Sequence, residues 1–271
     1  MEAVQWWCSA VDLPWSWEWR AYPGVWLFVA AIAFAYWRVR RLAADPPSDE
    51  SSWRGAAGVA GIVTLWVALD WPVGALGGGY LASIHMLQYL LIAFVAPTFL
   101  ILGLPRGTSE AIGRTAAGGI LRRLTHPVVA AVLFNAALII THSPSVTDAM
   151  MATQLGSFAI DMLWLLPAIL FWWTIVGVPP GRKPLSPPLR IGTIILGTVA
   201  HTPLGMWLML ADYPVYATYE LAPPIPGLPP RTDQQLASGF MLMLGWAYIL
   251  GAISVTFFRW QGMGEEKGSA V

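Results

Sequence analysis

Long apolar runs, separated by short polar stretches, dominate the sequence and predict its elements. A helix needs about 20 mostly apolar residues to cross a hydrocarbon core about 30 Å thick, because it rises about 1.5 Å per residue. The pattern predicts an all-α polytopic membrane protein with about seven transmembrane helices. The predicted spans are Gly24–Leu42, Ala56–Val73, Leu81–Leu104, Pro127–Thr141, Gly156–Gly177, Ile191–Ala211 and Leu236–Phe258. The fourth is short, and reaches the usual length if it begins at Leu121 or if the bilayer thins locally.

The segments around these spans complete the predicted domain organisation. Residues 1–23 form an outer leader with five tryptophans, which is expected to lie in the headgroup region, where an indole can keep its N–H in water. Residues 24–260 form a single seven-helix transmembrane domain. Residues 261–271 form a short cytoplasmic tail.

Three prolines lie inside the predicted spans, at Pro97, Pro167 and Pro203. A proline inside a helix removes a backbone N–H and leaves a carbonyl one turn earlier without its usual donor. We expect these helices to bend, and the freed carbonyls to find partners on neighbouring helices or in water.

The basic residues predict the orientation of the chain in the membrane. Thirteen of the fifteen lysines and arginines fall in alternate connections and in the tail, and the other set holds only Arg20 and Arg231. Cytoplasmic loops retain lysine and arginine. The N-terminus is therefore predicted outside the cytoplasm and the C-terminus inside.

Composition agrees with lipid as the solvent and excludes several function classes. The chain is 56% hydrophobic and 11% charged, with a mean hydropathy of +0.59. A formal net charge of zero gives no field that would attract nucleic acid. The single cysteine, Cys8, excludes an intrachain disulfide and a thiolate-rich metal site. No catalytic nucleophile motif or phosphate-binding loop is found, so an enzyme is not expected.

Histidine and methionine are concentrated toward the predicted outer side. Eight of ten methionines and three of four histidines map there, and thioether with imidazole is a ligand combination suited to Cu(I). Apolar packing and hydrogen-bonded histidines are the alternative interpretation, as is a haem between His85 and His142. Ionisable groups inside spans need partners or water, and Asp161 and His201 could pair with each other or with His85.

Several stretches resemble the CtaG family of cytochrome c oxidase assembly proteins, which are linked to copper insertion into haem-copper oxidases. The stretch HMLQYLLIAFVAPTFLILGLP, His85–Pro105, is similar to that family's third span. Shorter similarities are the His142-Ser-Pro sequence, the FWW of Phe171–Trp173, the Tyr-Pro-x-Tyr of Tyr213–Tyr216, and Asp233-Gln-Gln followed by Gly239 and Met241.

The resemblance implies copper as a possible bound metal and His85 and His142 as its ligands. Tyr89 stands where the family motif has a second histidine, and Ser157 and Asp161 stand where it has a His-x-x-x-His pair. Substitutes would be needed, and the predicted metal ligands are therefore His85, His142, Met86, Asp161 and His201.

Two functions remain open at this point. The first is an assembly factor that handles or presents copper on the outer, periplasmic side of a bacterial inner membrane, with subunits of a haem-copper oxidase as partners. The second is a non-catalytic CtaG-like subunit or stabilising partner of a respiratory complex, without bound metal. A small-solute transporter built on the proline-bent fifth and sixth helices is a weaker third interpretation.

Overall fold

The computed structural model describes residues 4–42 and 48–268, and within them all regular structure is helical. A π-helical segment, Leu91–Val95, joins α4 to α5. The helices are α1 (Pro23–Leu42), α2 (Ser48–Leu69), α3 (Val73–Gly79), α4 (Ala82–Leu90), α5 (Ala96–Leu102), α6 (Thr108–Gly113), α7 (Gly118–Leu124), α8 (Pro127–Thr141), α9 (Pro144–Met151), α10 (Gln154–Val176), α11 (Pro187–Thr198), α12 (His201–Leu210), α13 (Ala217–Glu220) and α14 (Pro230–Gly268).

Several helical segments in the described residues are long and apolar enough to cross a membrane. Five qualify on their own, namely Ser52–Leu69, Ala82–Leu102, Gln154–Val176, Pro187–Leu210 and Pro230–Gly262. A sixth is formed if α7 and α8, which are bent by 73° at their junction, are counted as one span. α1 has the length of a span with 20 residues, but it is not among these segments. The count of seven and the orientation of the termini stay predictions.

Pro97 coincides with the irregular part of the α4–α5 span. The π-helical segment lies immediately before it, as expected where the regular backbone hydrogen bonding is interrupted. The carbonyl of Ala93, four residues before Pro97, accepts a hydrogen bond of 2.8 Å from the indole Nε1 of Trp172 on α10. The expectation that a neighbouring helix satisfies the freed carbonyl is confirmed here, and the contact ties α10 to this span.

The span that contains Pro203 is broken between α11 and α12. The side chain of Asn135 on α8 lies at this break: its amide nitrogen donates to the carbonyl of Leu196 at 2.9 Å, and its amide oxygen accepts from the N–H of Ala200 at 3.2 Å. In an unbroken helix those two backbone groups would bond to each other. Asn135 therefore replaces one helical hydrogen bond with two bonds from its own side chain.

We expect the Asn135→Leu variant to lose about 1–3 kcal/mol of unfolding free energy, because two backbone groups at the helix break lose their side-chain partners while the volume is retained. The measurement is equilibrium unfolding of the detergent-solubilised protein in increasing dodecyl sulfate. Val132→Leu on the exposed face of the same helix is the matched control. Equal stability of the two variants would contradict the bridging role.

The described part of the leader packs on one end of the helical bundle, at the start of α10. The N–H groups of Trp6 and Trp7 donate to Oε1 of Gln154 at the start of α10, and the N–H of Ala10 donates to the carbonyl of Met151. Trp7 is 1% exposed and so lies inside the protein. A headgroup position stays a prediction for the exposed tryptophans of the leader.

At the other end of the chain, α14 continues beyond the predicted limit of the seventh span. The helix runs without a break to Gly268, so the first part of the predicted tail is helical. The rest of that tail, residues 269–271, lies outside the described residues.

Candidate functional site

The start of α4 is held in place by a carboxylate from α14. Asp233 is 2% exposed and accepts hydrogen bonds from the backbone N–H groups of Ala82 and Ser83 and from the Ser83 hydroxyl. The first N–H groups of a helix have no partner within the helix, and a carboxylate there also interacts favourably with the helix dipole. Asp233 therefore caps the start of α4, a different helix from its own.

α3 approaches α4 closely because it presents a glycine. A Cβ atom on Gly77 would lie 2.6 Å from Oε1 of Gln88 and 3.1 Å from the backbone of His85. Glycine is the residue that permits such an approach without displacing the neighbouring helix. The consequence is that α3 covers the face of α4 that bears His85 and Gln88.

His85, Gln88 and Tyr89 are spaced to share one face of α4 and are all buried, and two of them flank the same tryptophan. The ring centroids of His85 and Tyr89 lie 4.9 Å and 5.2 Å from that of Trp164 on α10. The indole Nε1 of Trp164 donates to the hydroxyl of Thr141 at 2.8 Å, which fixes the orientation of the ring. Trp164 therefore packs against His85 and is hydrogen-bonded to the end of α8.

His142 follows the last residue of α8, and the structure satisfies only one of its ring nitrogens. Nδ1 lies 2.9 Å from the carbonyl of Leu138, whereas Nε2 is buried without a hydrogen-bond partner. Burial lowers the pKa of His142 to about 4, so its ring is neutral at pH 7. The hydroxyl of Tyr216 donates to the backbone carbonyl of His142 at 3.1 Å and closes the site from the side of α13.

His85, Met86 and His142 line one small cavity. Its volume is about 10 Å³, which is room for roughly one water-sized atom. The Nδ1 atom of His85 is buried without a hydrogen-bond partner, as is Nε2 of His142. Tyr216 and Tyr219 complete the wall beside the two imidazoles. Burial raises the pKa of both phenols, so they remain protonated and act as hydrogen-bond donors.

The other two predicted ligands lie outside this cavity. The carboxylate of Asp161 accepts hydrogen bonds from Trp7 Nε1 at 2.8 Å and from Gln88 Nε2 at 3.3 Å. Nε2 of His201 lies 2.9 Å from the hydroxyl of Tyr89. The prediction that Asp161 and His201 need partners is confirmed, but the partners are neither each other nor His85. Each has a different polar partner, contributed by a segment far away in the sequence.

The site offers a metal few conventional ligands. Within residues 4–42 and 48–268, no group of three or more His, Cys, Asp or Glu side chains is arranged to hold a metal ion. A metal in the cavity would have two imidazoles and the Met86 thioether beside it. Cys8 is not an alternative ligand or nucleophile, because its thiol donates to the carbonyl of Leu69 at 3.3 Å and burial raises its pKa.

Three residues of this site were not among the sequence-based candidates. Trp164 gave no sign beyond being one of many tryptophans in apolar runs. Tyr216 belongs to the Tyr-Pro-x-Tyr stretch, whose resemblance carried no role, and Tyr219 follows three residues later. A search for phenols near the ends of the predicted outer helices would have found both tyrosines.

A comparison with family models matches residues 30–262 to the cytochrome c oxidase caa3 assembly factor family, Caa3_CtaG. The match covers far more than half of the chain. The protein belongs to this family. The matched region contains the whole cavity and every predicted metal ligand, whereas Trp7 and Cys8 in the leader lie before it.

The curated relatives are mycobacterial and add no activity to the family description. Proteins described as uncharacterized in Mycobacterium bovis and Mycobacterium tuberculosis are each 26% identical over 251 residues, covering 76% of this chain and 38% of the relative. A further uncharacterized protein of Mycobacterium leprae is 24% identical over 167 residues, covering 56% of this chain and 25% of the relative. This chain thus spans well under half the length of these relatives. No solved structure matches the chain significantly.

Proposed function

We propose that this protein assists the assembly of a haem-copper cytochrome c oxidase and holds copper(I) as cargo between His85 and His142. The observation that carries the proposal is a pair of buried imidazoles, each with a ring nitrogen that lacks a hydrogen-bond partner, lining one cavity. Buried polar atoms are nearly always hydrogen-bonded. Two unpartnered nitrogens beside one small cavity therefore suggest a ligand that both nitrogens bind. Membership in the caa3 assembly factor family supports the oxidase as the recipient.

The donor set suits copper(I) better than harder cations. Neutral imidazole binds copper, and the soft Met86 thioether favours the reduced ion over an oxygen-preferring metal. Trp164 and Tyr219 shield the imidazole of His85 from water, since their rings pack against it at centroid distances of 4.9 Å and 5.6 Å. Under the predicted orientation this cargo site would face the periplasmic side of a bacterial inner membrane.

A metal-free role is the second candidate, and a specific observation favours it. At two of the positions where the family resemblance implies histidine, Tyr89 pairs with His201 and Asp161 accepts from Trp7. Those side chains are engaged within the protein. A scaffold of this kind would act as a permanent subunit or stabilising partner of a respiratory complex.

Copper content of the purified full-length chain separates the two candidates. After loading with Cu(I) and washing, we expect roughly one copper per chain, measured by inductively coupled plasma mass spectrometry. The His85→Ala/His142→Ala double variant is expected to retain about a tenth of that amount or less. His126→Ala is the matched control, because His126 is exposed and precedes the start of α8, far along that helix from His142.

Circular dichroism of each variant checks that the helices persist. Absence of copper in the native chain would refute the cargo site. Co-purification of oxidase subunits in constant stoichiometry would then support the metal-free subunit. Equal copper in the native chain and the double variant would instead place the metal outside this cavity.

A further inference from the structure

A second cavity lies far from the histidines and has a different chemistry. It is an open groove of about 440 Å³ between α5, α10 and α14, and Arg190 near the start of α11 contributes to it. It shares no lining residue with the cavity at His85 and His142. The role proposed for those histidines makes no use of this groove.

One stripe of α14 forms a long wall of the groove. Ala247, Gly251, Val255 and Arg259 line it and are spaced four residues apart, so they lie on the same face of the helix. A Cβ atom on Gly251 would have no neighbouring heavy atom within 4 Å. The space above this glycine is therefore open rather than filled by an adjacent helix.

The body of the groove is apolar because its polar side chains are hydrogen-bonded within the protein. Thr98, Trp172, Tyr248 and Thr256 each donate a hydrogen bond to a backbone carbonyl. The remaining lining is aliphatic or glycine, apart from the two arginines. A ligand along the groove would thus meet apolar surface over most of its length.

Two arginines give one end of the groove a concentrated positive charge. Arg190 and Arg259 are close enough for their charges to repel each other. Nε of Arg190 is buried without a hydrogen-bond partner. In the parts of the chain that the structure describes, neither guanidinium forms an ion pair with a carboxylate. This end is suited to an anion that could bond to both arginines, and a phosphate can do so in the paired geometry that guanidinium favours.

The length of the groove matches one leaflet of a bilayer. Twelve residues separate Ala247 from Arg259 on a continuous helix, which corresponds to about 18 Å. One leaflet of a hydrocarbon core about 30 Å thick measures about 15 Å. A ligand with an anionic head and a chain of this reach is a membrane lipid, and basic sites between transmembrane helices are known to recognise such headgroups.

We propose that this groove binds an anionic phospholipid, with its phosphate between Arg190 and Arg259 and one acyl chain along the Ala247–Val255 stripe. The lipid would come from the leaflet that meets the arginine end, which the distribution of basic residues predicts to be cytoplasmic. Binding there would fill the open side of the groove between α10 and α14.

The test is native mass spectrometry of the detergent-purified full chain titrated with phosphatidylglycerol or with phosphatidylcholine of the same acyl chains. We expect saturable binding of phosphatidylglycerol in preference to phosphatidylcholine. The Arg190→Gln/Arg259→Gln variant is expected to bind phosphatidylglycerol about 30-fold more weakly, because each arginine near a membrane surface contributes a factor of about five. Arg114→Gln/Arg123→Gln, which changes two exposed arginines outside the groove, is the control.

A second pair of variants tests the acyl-chain part of the groove. Gly251→Leu is expected to reduce phosphatidylglycerol binding at least tenfold, since it fills the groove at a site with no adjacent atom to clash with. Gly192→Leu, at an equally open glycine outside the groove, should bind like the native chain. Equal binding of both lipids would overturn the proposal, and so would unchanged binding by Gly251→Leu. If glycerol 3-phosphate bound as tightly as the lipid, the groove would be a phosphate site only, and this result would also overturn the proposal.

Discussion

Replacing Asp233 with alanine is expected to lower the unfolding free energy by about 3 kcal/mol or more. Its carboxylate accepts three hydrogen bonds from the start of α4, and all the groups involved are buried. Each buried donor left without an acceptor costs about 1–3 kcal/mol, more for a partner of a charged group. The same contacts join α14 to the helix that carries His85 and Met86. Loss of the carboxylate should therefore also weaken copper retention, if copper binds as proposed.

Asp212→Ala is the matched control for this prediction. Asp212 is 94% exposed and lies 3.6 Å from an exposed arginine, and surface ion pairs of this kind contribute about 0–1 kcal/mol. Asp233→Asn keeps one acceptor oxygen and should fall between the two. Unfolding of all three variants in increasing dodecyl sulfate gives the comparison. A loss for Asp233→Ala as small as that for Asp212→Ala would show that water or backbone rearrangement satisfies the start of α4.

The helices of this protein could largely be predicted from its sequence because lipid imposes a simple rule. Every backbone group in the hydrocarbon must be paired within the chain, so a long apolar run without charge almost always forms a helix. The predicted third and fifth spans agree closely with Ala82–Leu102 and Gln154–Val176. The first run forms α1, but its arginines and aromatic residues reduce its apolar character, and its place in the membrane stays a prediction.

Local breaks in the helices were only partly predictable. Pro203 indicated a bend, but the break lies three to four residues earlier, and what satisfies it is Asn135 on a different helix. Hydropathy reports how apolar a run is, and contains no information on which side chain from another helix enters it. Position along the sequence therefore did not identify which residues become neighbours across helices.

The candidate site shows the same limit more sharply. His85 and His142 could be placed at similar depth, and the structure brings both to one cavity. Asp161 and His201 are also ionisable residues inside predicted spans. Their partners, however, are Trp7 and Tyr89, which are 154 and 112 residues away along the chain. A buried ionisable group requires some partner, but the sequence does not identify which polar side chain the folded chain will bring to it.

Trp7→Ala is expected to be the second severe variant, with a loss of about 3–5 kcal/mol from the missing ring alone. Trp7 is 1% exposed, and its ring packs against Phe28 and Phe158 at centroid distances of 5.7 Å and 4.9 Å. Its indole N–H also donates to Asp161, so the variant leaves that buried carboxyl with Gln88 as its remaining donor.

Two further variants separate the ring of Trp7 from its hydrogen bond. Trp7→Phe keeps most of the apolar packing and removes the N–H, so it should cost about 1–3 kcal/mol through Asp161. Trp17→Ala removes a ring of the same leader that is 70% exposed, and should change the unfolding free energy by about 0.5 kcal/mol or less. Equal effects of Trp7→Ala and Trp17→Ala would mean that the leader does not hold the ends of α1 and α10 together. A much larger loss of unfolding free energy for Trp7→Ala would show that the leader is part of the helical bundle. If the leader only anchored the chain at the membrane surface, the two substitutions should have similar effects.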